Sequence, residues 1–103
     1  MRLPIRIGEE AEAEMAQAAR WYERHREGLG LEFIAAVDRT LRLIEDNPRI
    51  GSPTPQTSDK AIRRHPVRRF PYHIVYLELD DRLHILAIAH DRRRPGYWRA
   101  RLQ

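Results

Sequence analysis

Two successive stretches of helical periodicity constrain this chain more than any other feature of its sequence. In each stretch one set of residues recurs at intervals of three and four, which places that set on one side of a helix. The first set comprises Ala11, Met15, Ala18, Tyr22 and His25, and the second comprises Ile34, Val37, Leu41 and Ile44. Gly28 and Gly30 interrupt the pattern between them, and Pro48 ends the second stretch. So short a connection predicts an antiparallel helical hairpin whose two stripes share one core.

The residues on either side of the hairpin predict a strand and a loop. Residues 2–7 alternate between apolar residues and arginine or proline, which is typical of a short, half-buried strand. Pro4 has no N–H to donate, so this strand is not expected at the centre of a sheet. Residues 48–60 contain three prolines and several small polar residues and predict a connecting loop.

The rest of the chain predicts further strands. Residues 61–70 have the pattern of a basic strand that is bulged or lies at an edge near Pro66. Residues 72–79 are almost uniformly apolar, as in a central strand that is covered on both faces, and residues 83–90 form its partner across a tight turn. The sequence therefore predicts one α+β domain over residues 1–103, with a helical hairpin on one face of a small, mainly antiparallel sheet of the N-terminal strand and three or more others.

Charge is distributed unevenly along the chain. Residues 1–56 carry eight basic and ten acidic side chains, whereas residues 57–103 carry eleven basic and five acidic ones. A basic C-terminal half favours a polyanionic partner, such as nucleic acid or an acidic protein segment. No apolar run approaches the roughly 18 residues of a spanning helix, and no secretory signal is visible. We therefore expect a cytoplasmic protein that does not enter a membrane.

A cluster of cations in the basic strand is the first candidate site. It comprises Lys60, Arg63, Arg64, Arg68 and Arg69, with no acidic residue among them. These side chains could follow the phosphates of a nucleic acid. Alternatively, they form a solvated edge strand that charge protects from aggregation.

The run from His90 to Trp98 is the second candidate site. It combines an imidazole for proton transfer, three consecutive arginines for binding an anion, and two aromatic rings that could stack on a base. Alternatively, Tyr97 and Trp98 cap the core while the arginines are solvated. A mixed outcome is expected, in which Trp98 is structural and some of the arginines are functional. The five histidines have no metal-ligand spacing and the chain has no cysteine, so neither a metal nor a cofactor is expected.

The C-terminal segments resemble one protein family. The sequences RRFPYHIVY, LHILAIAH and DRRRPGYW, after a strand, a helical hairpin and a proline-rich loop, resemble the RelE/ParE superfamily of type II toxin–antitoxin toxins. The resemblance covers nearly the whole chain. It implies a small sheet with a helical hairpin packed on it, and a cognate antitoxin whose C-terminal segment wraps around the toxin.

This resemblance implies one of two activities. RelE-like members cleave mRNA in the ribosomal A site without a metal, whereas ParE-like members inhibit DNA gyrase. His73 stands where the RelE-like nucleases place an arginine, and the PGYW ending of residues 95–98 resembles the ParE-like branch more closely. The resemblance therefore favours a gyrase inhibitor that acts in growth inhibition and plasmid stabilization, with a ribosome-dependent endoribonuclease as the alternative.

Each hypothesis assigns its own site residues. A gyrase inhibitor would contact its target through Arg92, Arg93, Arg94, Tyr97, Trp98 and Arg101. A ribonuclease would transfer protons through His90 or Tyr97 and contact phosphate through Arg69 and Arg92. A third hypothesis is a plain nucleic-acid-binding module. Both toxin hypotheses predict a hetero-oligomer, in which an acidic and apolar antitoxin peptide lies across the hairpin, adds to a sheet edge and covers arginine side chains.

Overall fold

The computed structural model describes residues 2–54 and 61–102, which form a helical layer and a sheet. In chain order the elements are β1 (Ile5–Ile7), α1 (Glu9–His25), α2 (Leu29–Asp46), β2 (Ser52–Pro53), β3 (Ile62–Pro66), β4 (Tyr72–Glu78) and β5 (Leu83–His90), followed by a 3-10 helix (Tyr97–Leu102). This order confirms the predicted α+β class. No helix in the described residues is long and apolar enough to cross a membrane.

The helical hairpin forms as predicted with Gly28 in its connection, but Gly30 has a different role from the one expected. Gly28 precedes α2 with a φ of 88°, a left-handed backbone that favours glycine. Gly30 does not interrupt the helices; it lies inside α2, where a Cβ would stand 2.6 Å from the carbonyl oxygen of Ala19 in α1. The absence of a side chain at Gly30 is therefore what lets the two helices approach each other.

The Gly30→Ala variant is expected to be less stable by about 1–3 kcal/mol, because the added methyl group would overpack the contact with α1. Alanine ordinarily stabilises a helix relative to glycine, so a loss of stability in this variant would identify the close approach of α1 and α2. Urea denaturation of the purified protein measures the difference. Gly28→Asn is the control, since asparagine tolerates left-handed backbone and no atom of the described residues lies within 4 Å of its Cβ position. Unfolding of Gly30→Ala at an unchanged or higher urea concentration would contradict the packing argument.

The sheet has the strand order β1-β5-β4-β3-β2. β4 lies in the centre, as its apolar sequence predicts, and the Pro4-containing segment leads into an edge strand. Pairing is antiparallel from β5 through to β2, whereas β1 runs parallel to β5, with Ile5 opposite Leu83. Parallel strands need a long connection, and the hairpin together with β2, β3 and β4 separates β1 from β5 along the chain.

Each face of the sheet carries its own core. On the helical side, Phe33 and Val37 of α2 pack with Ile74 of β4 and with other buried residues of the sheet. On the opposite side, Val75 and Leu86 pack with Trp98 of the 3-10 helix. β4 is thus covered on both faces.

Three sequence-based expectations are corrected. The basic strand predicted over residues 61–70 ends at Pro66, because the Val67 N–H donates to the Tyr72 carbonyl oxygen at 2.8 Å and closes a turn. The predicted loop contains β2, which pairs with β3, and residues 55–60, including Lys60, lie outside the described residues. His25 is exposed rather than part of the inner stripe, because its ring stacks on the indole of Trp21.

Candidate target-binding site

At one rim of the sheet the start of β4 lies beside the end of β5. Tyr72 at the start of β4 lies opposite His90 at the end of β5, and their rings meet edge to face with centroids 5.0 Å apart. The neighbouring His73 Nδ1 lies 2.9 Å from Asp91 Oδ1. A carboxylate can only accept, so His73 carries a proton on Nδ1 and donates it to Asp91. The arginine segment of residues 92–94 leaves the sheet from this rim.

His90 is poorly arranged to act as a general base. The backbone N–H of Arg92 donates to His90 Nδ1 at 3.0 Å. The neutral ring therefore carries its proton on Nε2, which is then a donor, while the lone pair on Nδ1 is already used.

Glu14 of α1 links the C-terminal 3-10 helix to the sheet through hydrogen bonds. Its carboxylate accepts from the Tyr97 hydroxyl at 2.6 Å and from the Arg101 guanidinium at 2.9 and 3.0 Å. The same carboxylate accepts from the Ile88 N–H at 3.0 Å, and Arg101 donates to the Leu86 carbonyl oxygen. β1 pairs only with residues 83–85, so Glu14 and Arg101 bind backbone groups of β5 beyond the end of β1. We call this arrangement the Glu14 clasp.

The four tyrosines are expected to titrate at higher pH in the native protein than in the unfolded chain. Burial is the main cause that raises the pKa of the phenols of Tyr22, Tyr72, Tyr76 and Tyr97, and the Glu14 carboxylate raises that of Tyr97 further. Because their pKa is higher in the native state, the phenols contribute to the free energy of unfolding below a pH of about 10. This contribution is lost as the pH rises further.

Ultraviolet titration of tyrosinate, with and without urea, tests this expectation. The midpoint of the native titration curve is expected to lie at higher pH than the midpoint in urea. Tyr97→Phe is expected to remove the part of the native curve that titrates at the highest pH. Coinciding native and unfolded curves would contradict it.

The residues proposed for target contact have different environments. Arg92 and Arg94 are exposed, and their side chains have no ionic or hydrogen-bond partner among the described residues. The Arg93 guanidinium lies over the Tyr97 ring, 3.8 Å from its centroid. Arg101 is engaged in the Glu14 clasp. Trp98 is only 3 % exposed and packs in the core, which agrees with the expectation that it is structural and leaves little of it for the target contact that the gyrase hypothesis assigned to it.

The arginines of the predicted basic strand also differ, because some of their side chains have partners and others do not. Arg63 donates to the Gly51 carbonyl oxygen at 2.9 Å, and Arg69 pairs with Glu32 at 3.0 Å beside the first turn of α2. Arg69 is therefore held at α2 instead of lining a cavity with His90. The side chains of Arg64 and Arg68 have no partner in the described part of the chain.

An apolar groove of about 620 Å³ lies between α1 and the rim. Its lining includes the rings of Trp21, Tyr22, Tyr72, His90 and Tyr97. Trp21 is 49 % exposed, although it is one of the largest apolar side chains in the protein. Arg93 also lines this groove, which we call the aromatic groove, and places a cation beside the rings.

A family model described as the ParE toxin of the type II toxin–antitoxin system parDE matches residues 5–95. The chain belongs to the ParE toxin family. It is thus a toxin of a type II toxin–antitoxin system, within the RelE/ParE superfamily that its motifs resemble. A search of the curated proteins found no match.

Two solved structures share the fold of this ParE-family toxin. A structure of the chromosomal ParDE TA system from P. aeruginosa matches with a TM-score of 0.70 and 14 % identity, over 86 % of this chain and 96 % of the other. The YoeB dimer from Staphylococcus aureus matches with a TM-score of 0.60 and 14 % identity, over 86 % and 97 %. At this identity the two similarities show a common fold alone.

Sequence reasoning missed two parts of this ParE-family site. Glu14 is one of four glutamates among residues 9–14, and nothing in the local sequence distinguishes it from Glu12. The contact between His73 and Asp91 joins β4 to the residue that follows β5, so only the register of β4 on β5 could have indicated it. Among the described residues no group of three His, Asp or Glu side chains could hold a metal ion.

Proposed function

We propose that this ParE-family toxin inhibits DNA gyrase in the cytoplasm by binding it, without breaking a bond itself. The observation that carries the proposal is the contrast at the rim of the sheet. Arg92 and Arg94 are exposed and unpaired within the described residues, whereas the candidate proton-transfer groups are engaged. The contact surface consists of residues 92–94, beside the Tyr97 ring on which Arg93 lies.

The engaged groups favour an inhibitor over a ribonuclease. The Tyr97 hydroxyl donates to Glu14, and its raised pKa keeps it from acting as a base at neutral pH. His90 Nδ1 accepts from the Arg92 amide, and Arg69 is paired with Glu32. Membership of a toxin family also favours either toxin hypothesis over a plain nucleic-acid-binding module.

A supercoiling assay with purified gyrase, titrated with the toxin, tests the proposal. We expect supercoiling to fall and cleaved DNA to accumulate on the same gel as the toxin concentration rises. Mapping of mRNA ends after toxin expression is the parallel measurement. Cleavage of mRNA in phase with codons, together with unaffected gyrase, would replace the inhibitor with the ribonuclease.

We further propose that the aromatic groove receives an apolar side chain of the cognate antitoxin. The groove presents aromatic rings together with the Arg93 cation, so it suits a segment that carries apolar and acidic residues side by side. Tyrosine, tryptophan and arginine are also the residues that contribute most to binding energy at interfaces. Growth inhibition would then be relieved by an antitoxin bound across α1 and the rim.

Replacing Trp21 with alanine is expected to weaken antitoxin binding at least about tenfold, because truncating a central interface tryptophan costs about 2 kcal/mol or more. Calorimetric titration of the purified toxin with the antitoxin encoded beside its gene measures the change. Ile50→Ala is the control, since Ile50 is also an exposed apolar residue, at 38 %, but lies after the hairpin and not in the groove. Equal affinities for the two variants would remove the aromatic groove from the antitoxin interface.

A further inference from the structure

Arg69 is the one residue other than glycine that has a left-handed backbone in the part of the chain that the structure describes. Its φ is 77°, and it lies between β3 and β4 at the rim of the sheet. We call residues 67–71 the Arg69 turn. A side chain in this conformation costs free energy that a glycine would not, and arginine is not among the residue types that tolerate it well. Strained backbone of this kind persists only where its surroundings impose it, and it occurs most often at functional sites.

The residues on either side of Arg69 explain how the strain is imposed. Val67 and Phe70 are both buried in the core on the helical side of the sheet, and the Phe70 ring packs edge to face against two aromatic rings of the hairpin. The chain therefore leaves the core after Val67 and re-enters it at Phe70. The Val67 N–H also closes the turn onto the Tyr72 carbonyl oxygen at 2.8 Å. Arg69 lies where the chain turns back.

The Arg69 side chain has partners, but these partners add little stability. Its guanidinium donates to Glu32 Oε1 at 3.0 Å and lies 5.6 Å from the centroid of the Phe70 ring. Arg26 binds the same carboxylate. The Arg69 side chain is 56 % exposed, so solvent screens the ion pair, and exposed pairs contribute little to the free energy of unfolding. Stability alone therefore does not explain an arginine at a position that glycine would occupy without strain.

The Arg69 turn is bonded directly to the start of the arginine segment. The Pro71 carbonyl oxygen accepts from the Asp91 N–H at 2.8 Å. The Asp91 carboxylate accepts from His73 Nδ1, on the second residue of β4, at 2.9 Å. The residue before Arg92 is thus held by the Arg69 turn through its backbone and by β4 through its side chain. A displacement of the turn would change where the arginine segment leaves the sheet.

We propose that Arg69 is a positioning residue for the target contact of residues 92–94. Its bond to Glu32 ties the Arg69 turn to α2, and the turn holds Asp91 through the Pro71 carbonyl. Arg69 acts through these two residues and not by touching the target itself. The proposal rests on the proposed function, because it takes residues 92–94 to be the surface that contacts gyrase.

The Arg69→Gly variant tests the proposal, because glycine removes the ion pair and the backbone strain together. These two losses oppose each other, so the variant is expected to melt within about 5 °C of the wild type. The toxin concentration for half-inhibition of supercoiling is expected to rise at least about fivefold. Hydrogen exchange of the Asp91 amide, measured without gyrase, is expected to be at least about tenfold faster.

Arg68→Gln is the control for Arg69→Gly. It removes the same charge from the neighbouring residue of the same turn, whose side chain is exposed and has no partner in the described part of the chain. It is expected to stay within about twofold of the wild type in both measurements, since it removes no link to α2. Equal effects of the two variants would overturn the proposal, because loss of charge alone would then account for them.

The Glu32→Gln variant breaks the same ion pair from α2 and leaves residue 69 unchanged. It is expected to reproduce the faster exchange of the Asp91 amide and the weaker inhibition. The Arg69→Gly, Glu32→Gln double variant is expected to add little to either effect, because residues that act through one shared contact are not additive. Fully additive losses would overturn the proposal.

The exchange measurement distinguishes a failure of this proposal from a failure of gyrase inhibition. Unchanged exchange of the Asp91 amide in Arg69→Gly would overturn the positioning role, as would faster exchange with unchanged inhibition. A fall in melting temperature of more than about 15 °C in both single variants would assign Arg69 to stability instead. If the wild-type toxin leaves supercoiling unaffected, gyrase inhibition is what has failed. Exchange of the Asp91 amide, together with growth arrest by the same variants, then decides whether Arg69 positions the arginine segment.

Discussion

Cells that express the Arg92→Glu, Arg94→Glu double variant are expected to keep growing under conditions in which the wild-type toxin stops growth. Both guanidinium groups are exposed and unpaired among the described residues, so their replacement removes no internal contact. If Arg92 and Arg94 bind an acidic surface of gyrase, reversing their charge replaces two attractive interactions with two repulsive ones. Arginines at the centre of an interface each contribute about 2 kcal/mol or more. The toxin concentration for half-inhibition of supercoiling should therefore rise at least about a hundredfold.

The control for this prediction is the Arg39→Glu, Arg49→Glu variant. It makes the same change of net charge at two exposed arginines that lie in α2 and shortly after it, outside the rim of the sheet. It is expected to inhibit gyrase like the wild type, within about threefold when general electrostatic attraction is screened by salt. Arg93 is left unchanged in the test variant because its guanidinium lies on the Tyr97 ring. A folded test variant that is as toxic as its control would exclude residues 92–94 as the gyrase contact.

The Glu14→Ala variant is expected to lose about 2–4 kcal/mol of stability. Glu14 and Arg101 are 15 % and 17 % exposed, so removal of the carboxylate leaves a largely buried guanidinium without its ion pair. Breaking a fully buried pair costs about 3–5 kcal/mol, and partial exposure reduces this figure. For a domain of this size, the loss corresponds to a fall in melting temperature of about 10–25 °C. The 3-10 helix is expected to loosen first, which hydrogen exchange at residues 97–102 would detect.

Glu12→Ala is the matched control for the Glu14 clasp. Glu12 lies on the same helix and is exposed, and its carboxylate has no hydrogen-bond or ionic partner among the described residues. Its replacement is expected to change stability by less than about 0.5 kcal/mol, as is usual for exposed positions. Adding Arg101→Leu to Glu14→Ala should recover part of the loss, because the unpaired charge is then gone. Similar melting temperatures for Glu14→Ala and Glu12→Ala would show that the clasp contributes little.

Much of the fold was predictable because its signals are local. The bounds of α1 follow from helical periodicity that starts after Gly8, and the central place of β4 follows from an uninterrupted apolar run. The strand after the loop was predicted too long, since the turn at residues 67–71 depends on a hydrogen bond between Val67 and Tyr72. The parallel pairing of β1 with β5 has no local signal, because the alternation of apolar residues is the same in either direction.

The sequence by itself determined the helical hairpin, the central strand, the basic C-terminal half and the segments that mark the family. Periodicity, composition and short motifs are properties of neighbouring residues, so they can be recognised before the chain folds. Only the tertiary structure decided which arginines are free to bind a partner. Arg69 is engaged by Glu32, 37 residues away, and Arg101 by Glu14, 87 residues away. These pairings depend on distances between elements, which no local pattern of charges contains.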